Sequence, residues 1–192
     1  MKVIGICGSP RAGGNSEILL DTALDACAGE GALVEKILLR DMDIAPCEGC
    51  VECPDECITG DDTWKTIDGL LDADGIIIVS PVYLGSPPSN LVAFQNRSCY
   101  LSQRGYPLAN KVGATIAVGA GPHGGQEFVN LHNIIWFLKN KMIVVGEARS
   151  NFFGIAGRAM EAGDIKNDDA AMDGARKMGA RTVEVIKLYG ES

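Results

Sequence analysis

Histidine is scarce in this sequence: His123 and His132 are the only two in 192 residues. Neither belongs to an HExxH pair, and no GxSxG occurs, so the common metalloprotease and serine-hydrolase frameworks are excluded. No run of Lys and Arg is present and the net charge is −8. Binding a phosphate backbone needs clustered cations, so a nucleic-acid partner is excluded as well. The longest apolar stretches, such as residues 75–79, fall far short of the ~20 residues that span a bilayer, and no membrane partner is expected. The amino terminus runs straight into a strand pattern, without a charged segment and cleavage site, so the expected location is the cytoplasm.

What the chain does contain is apolar residues in regular order. At 46% hydrophobic and 22% charged it can bury a proper core, and its length suits one domain over 1–192. Strands are expected at 2–7, 33–39, 75–80, 111–118 and 141–146, and helices at 16–29, 61–71, 126–139 and 168–189. A further helix after Pro87 and Pro88 carries Leu91, Phe94 and Tyr100. Asn15 or Ser16 is the expected N-cap of the first helix, and Asp61 or Asp62 of the second. Five alternations of strand and helix imply βαβ units and a doubly wound, five-stranded parallel sheet. Ligands of such sheets bind beyond the carboxyl ends of the strands.

The first of those ends is followed by Gly8-Ser9-Pro10-Arg11-Ala12-Gly13-Gly14-Asn15-Ser16. A helix begins where the loop ends, so free backbone N–H groups and the positive end of the helix dipole face it. Ser9, Asn15 and Ser16 offer polar donors and Arg11 a cation. A Walker loop would need Lys and Ser/Thr where Gly14 and Asn15 stand, and a dinucleotide fingerprint needs a glycine spacing this loop lacks. Hydroxyl-rich donors suit a monoester phosphate of the flavin type. Gly119, Gly121 and Gly124 also form a GxGxxG, but Lys139, Asn140 and Lys141 stand where its acid should be. By itself the motif is a weak sign of a dinucleotide site. His123 in that loop has no evident partner, and His132 sits at helical spacing among apolar residues, so no catalytic residue is assigned.

Seven cysteines are present. Cys7, Cys27 and Cys99 occupy apolar or helical positions and are expected to be structural. Cys47, Cys50, Cys53 and Cys57 form C-x2-C-x2-C-x3-C, a density of soft thiolates that suits one [4Fe–4S] cluster. Zinc usually joins two separated CxxC hairpins, and there is no second hairpin. Zinc and free redox-active thiols remain the alternatives. Glu48, Glu52, Asp55 and Glu56 make the loop acidic, which should lower a cluster potential. Ligation itself lowers thiol pKa values, so no basic neighbour is required.

GSPRAGGNS after the first strand and SPVYLGSPPSNLVAFQNR after the third resemble the NAD(P)H-dependent FMN reductase family over nearly the whole chain. The cysteine loop at 47–57 resembles that of its iron-sulfur flavoproteins. The resemblance implies a flavodoxin-like, three-layer α/β/α fold. Ser9, Arg11, Asn15 and Ser16 would grip the FMN phosphate. Pro81, Val82, Tyr83, Leu84 and Gly85 would run beside the isoalloxazine ring, while Gly121, Gly124 and Gly125 would close over its pyrimidine side. It also implies an FMN-dependent oxidoreductase, a homo-oligomer (dimer or tetramer) with each cluster near a neighbour's flavin, and a redox partner such as ferredoxin or NAD(P)H. The alternatives are a flavin or quinone reductase without a cluster and a non-catalytic electron shuttle. Two departures stand out: Val92 replaces a common Lys, and the x3 gap before Cys57 is short.

Overall fold

The apolar run at 76–79 is completely buried, as a strand covered on both faces should be. In the computed structural model, which describes residues 1–147 and 153–190, this run lies mid-sheet. The strands are β1 (Lys2–Cys7), β2 (Leu33–Leu38), β3 (Gly75–Pro81), β4 (Val112–Gly119) and β5 (Ile143–Val144). They are ordered β2-β1-β3-β4-β5, all parallel. This is the flavodoxin-like order, whose switch point lies between β1 and β3.

Period-two alternation sorts the side chains into two cores. Val3, Ile77 and Val79 face α1 (Asn15–Gly29) and α6 (Asp169–Gly190), meeting Leu20, Ala23, Ala175 and Met178. Ile4, Ile6, Ile76 and Ile78 face the other way. They meet Ile67 of α2 (Thr63–Gly69), Leu91 and Phe94 of α3 (Ser89–Arg97), Tyr100 of α4 (Tyr100–Gln103) and Phe137 of α5 (Gln126–Lys139). The result is three layers, with helices on both faces. Leu91 and Phe94 are fully buried and anchor α3. Among the described residues no helix is long and apolar enough to cross a membrane.

The outermost lane differs from expectation. Instead of one strand over 141–146, only Ile143–Val144 pairs with the start of β4, at Val112 and Gly113. A sixth strand, β6 (Ile155–Arg158), pairs with its end, from Ile116 to Gly119. Two short segments thus share the flank of one eight-residue strand. The second brings its own loop to the carboxyl end of the sheet.

The contact of α1 with α6 depends on Gly179. A Cβ there would lie 2.1 Å from the carbonyl oxygen of Ala23. Backbone cannot give way as a side chain can, so Gly179→Ala is expected to cost about 1–3 kcal/mol. Urea unfolding of the two proteins measures this, and an unchanged midpoint would show that the helices separate freely.

Candidate functional site

Three loops meet where the chain leaves β1, β3 and β4. The first begins still on the ladder, the Gly8 N–H donating to Val79 O at 2.9 Å. A Cβ at Gly8 would lie 2.9 Å from Leu91 Cδ2 and 3.2 Å from Leu91 Cβ, so a larger residue would have to displace the Leu91 side chain. Ser9 is buried and its Oγ accepts the Arg11 N–H at 3.1 Å. Gly13 turns with φ +60°, in the left-handed region, and its N–H donates to Glu17 Oε2 at 2.8 Å. Glu17 is also held by Arg40 at 2.7 Å and Lys36 at 3.0 Å. Burial opposes its charge, but these partners outweigh it and lower its pKa to about 2. The carboxylate thus fixes the loop from behind, with its charge balanced by two cations.

Helix α1 begins one residue earlier than expected, with Gly14 as N-cap and no side-chain cap bond. Asn15 has another task. Its Nδ2 donates to Glu161 O at 2.8 Å, and its Oδ1 accepts the N–H groups of Gly163 at 2.9 Å and Ile165 at 3.3 Å. The side chain ties the loop after β6 to the loop after β1, about 150 residues away in sequence.

One cleft is lined by Ser9, Arg11, Gly14, Asn15 and Ser16 from the first loop, and by Pro81, Val82 and Tyr83 from the second. Val118, Gly119 and Ala120 join them, together with Ala159 and Met160. Arg11 is exposed at its mouth, and its guanidinium has no ion-pair partner among the described residues. Leu84 and Gly85 do not line this cleft. They form the tip of a two-residue turn with φ +50° and +78°, closed by paired Tyr83 and Ser86 backbone bonds, and Leu84 is fully exposed. Gly121, Gly124 and Gly125 also lie outside it, in the third loop. Gly125 (φ +105°) packs that loop on the second, because a Cβ would be 3.0 Å from both Gly85 Cα and Val82 Cγ1. Buried Gln126 braces the same loop through Nε2, which donates to Gly121 O at 2.8 Å and Gly157 O at 3.2 Å. His123 points to solvent beside Glu127, and half-buried His132 bonds Gln95 Oε1 at 2.9 Å. Neither histidine lines the cleft. Ala159 and Met160 are the lining residues that sequence reasoning missed, because they hang on the strand it did not place.

The cysteine segment forms a second constellation, without regular structure, clamped at its base. Asp62 Oδ2 accepts the Asp43 N–H at 2.9 Å, and Asp61 Oδ2 accepts the Ala45 N–H at 2.8 Å. Asp62 holds the N-cap position of α2 without a side-chain capping bond, while Asp61 Oδ1 accepts the Thr63 N–H that starts the helix at 3.0 Å. Cys47, Cys50, Cys53 and Cys57 all line one small cavity with Pro54, Ile58 and Trp64. Among the described residues, no three Cys, His, Asp or Glu side chains are grouped tightly enough to hold a single metal ion.

Two residues from α3 and the turn after it complete this cavity. Arg97 is buried, and its guanidinium pairs with Asp61 at 2.7 Å and 3.0 Å. It also donates to Ala45 O at 3.1 Å and to Cys57 Sγ at 2.9 Å. The site therefore does have a basic neighbour. Burial raises the pKa of Cys57, but bonds from Thr59 and the nearby Arg97 charge prevail and lower it, favouring a thiolate. The second residue is Cys99, which is exposed rather than buried in a core, with its Sγ 3.8 Å from Cys53 Sγ. Cys7 and Cys27 are buried as expected, and burial pushes their thiols up to about 11 and about 12.

A family model described as NADPH-dependent FMN reductase matches residues 1–153. An iron-sulfur flavoprotein of Methanocaldococcus jannaschii is 44% identical over 98% of both chains. The chain belongs to the iron-sulfur flavoprotein subgroup of the FMN reductase family. Another iron-sulfur flavoprotein, from Methanosarcina thermophila, is 34% identical over 98% of this chain and 96% of its own. Among solved structures, RosB with bound 8-demethyl-8-formylriboflavin-5'-phosphate superposes with a TM-score of 0.80. At 18% identity over 100% of this chain and 81% of that one, it shows the shared fold. Family membership supports a flavoprotein redox role with FMN.

Proposed function

We infer that this chain is an FMN-dependent oxidoreductase in which FMN and one [4Fe–4S] cluster carry electrons between a low-potential donor and an acceptor. The observation that supports this most is the coexistence of a phosphate-loop cleft and a cavity lined by every thiol of the motif. When bound, FMN exchanges two electrons and the cluster one, so together they connect hydride-like and single-electron partners. The donor set fits a cluster: four thiols, one buried guanidinium, and an Arg97 Nε–H with no hydrogen-bond partner among the described residues. Cys47, Cys50, Cys53 and Cys57 would hold it. Ser9, Ser16, Arg11 and the N–H groups opening α1 would hold the flavin phosphate, with Asn15 positioning the loop. Pro81, Val82 and Tyr83 would wall the ring, and Gly121, Gly124 and Gly125 would shape its cover, with Leu84 and Gly85 at the rim.

The reading includes one domain over 1–192, a cytoplasmic location, ferredoxin or NAD(P)H as partner, and a homo-oligomer. Helix α5 supports the last with exposed Phe128, Leu131, Ile135 and Leu138. Their three-and-four spacing puts them on one stripe that a second copy could cover.

Iron, acid-labile sulfide and flavin analysis of anaerobically purified protein tests the whole. Stoichiometric FMN with iron and sulfide is expected. FMN with near-zero iron overturns the cluster and leaves a reductase of flavin or quinone. Arg11→Ala tests the cleft separately, and it should weaken FMN binding by about 1.5–3 kcal/mol, a lost hydrogen bond to a charged group. Riboflavin, without the phosphate, should bind both proteins equally. Equal FMN affinity in both proteins removes Arg11 from the phosphate site.

A further inference from the structure

Resting on the cluster reading above, we propose that the turn ending α3 tunes the cluster potential, with Arg97 and Cys99 each donating a hydrogen bond to one of the ligand thiolates. Five cysteines line the cavity, while a cubane has four iron corners, so one thiol is left over. The contacts say which. Cys57 accepts from Arg97 Nη2 at 2.9 Å, as a thiolate ligand does. Cys99 comes from outside the motif and touches Cys53 sulfur to sulfur at 3.8 Å. Ligand thiolates of a cubane sit on separate irons, so two sulfurs in direct contact are one ligand and one neighbour. Once Cys53 is deprotonated for ligation it cannot donate, and the proton of the pair belongs to Cys99.

The two donors are held firmly. Ser102 Oγ donates to Cys99 O at 2.7 Å, and Trp136 Nε1 donates to the intervening Ser98 Oγ at 2.8 Å. Arg97 is fixed by Asp61 and by Ala45 O. Hydrogen bonds to cluster sulfurs stabilise the reduced, more negative state and raise the potential. Glu48, Glu52, Asp55 and Glu56 act in the opposite direction, so the turn offsets an acidic loop that would otherwise make reduction harder. Arg97 and Cys99 are positioning residues here.

Anaerobically reconstituted wild type, Cys99→Ala, Cys99→Ser and Arg97→Lys are compared by iron and sulfide content and by dithionite titration monitored by electron paramagnetic resonance. Cys99→Ala should keep its full iron while its reduction equilibrium moves roughly tenfold toward the oxidised state, about 59 mV for one electron. Cys99→Ser, which restores a donor, should recover most of that shift, and Arg97→Lys should move the same way as Cys99→Ala. Full iron with an unmoved potential in Cys99→Ala overturns the proposal even if Arg97→Lys fails to fold. Loss of iron from Cys99→Ala overturns it too, by making Cys99 a ligand. An iron-free wild type is a different failure, that of the cluster reading itself.

Discussion

Cys50→Ser is expected to reduce the iron of the anaerobically reconstituted protein to near zero while leaving its FMN in place. A serine hydroxyl is a harder and far less acidic donor than a thiol, and these sites select soft thiolates. Cys50 is exposed in a loop without regular structure. On the cluster reading proposed above, its loss removes a ligand without opening a core cavity, and the cleft proposed for FMN is built from other loops. Cys57→Ser should lose iron to the same extent. The short x3 gap is no obstacle if the chain can bend there, and Arg97 already directs a charge at that sulfur. Cys7→Ser, at a buried position of β1, serves as a control that should leave the iron content alone. Iron and sulfide per flavin measure all four proteins. Full iron in Cys57→Ser, with its loss in a Cys99→Ser partner, would transfer the fourth corner to Cys99.

The sequence made the central architecture readable because burial on both faces leaves an unmistakable trace. The run at 75–80 could hardly be anything but an inner strand, and α5 was legible to the residue at both ends. The outer lane was not, since an apolar run at 141–146 says nothing about how much of β4 it will pair with. That depends on a return of the chain at Ile155, carried by a four-residue segment, Ile-Ala-Gly-Arg, too short to show a strand pattern of its own. The turn from β1 into α1 was readable for the same reason as the strands: its glycines and hydroxyls are local. Asn15 shows the limit, because its partners at 161–165 could not be foreseen from the loop. The cysteine centre divides in the same way. Four thiols within eleven positions announced themselves, whereas Arg97 and Cys99 reach the site from 40 and 46 residues away. A cysteine taken for a small buried hydrophobe and an arginine with no local cue carry no mark of such contacts.

Asp61→Ala should be among the most destabilising substitutions in the chain, at about 3–5 kcal/mol, the usual cost of stranding one member of a buried pair. The side chains of Arg97 and Asp61 are 2% and 3% exposed, so neither can recruit water when the other is removed. The same carboxylate accepts the backbone N–H groups of Ala45 and Thr63, which join the start of the cysteine loop to the start of α2. Burial disfavours its charge, yet Arg97 and these donors outweigh that and lower its pKa from 3.8 to about 2. A depressed folded pKa fixes the sign of the pH dependence. The contribution is complete above the unfolded value near 4 and disappears as pH falls through about 2. Wild type should therefore lose stability relative to Asp61→Ala across that window, so their unfolding free energies converge in acid and separate at neutral pH. Urea titration of both proteins in metal-free form at a series of pH values measures this without interference from bound iron. A constant difference across the window would mean that Asp61 acts through packing alone, and a difference below 1 kcal/mol at neutral pH would mean that Arg97 finds another partner.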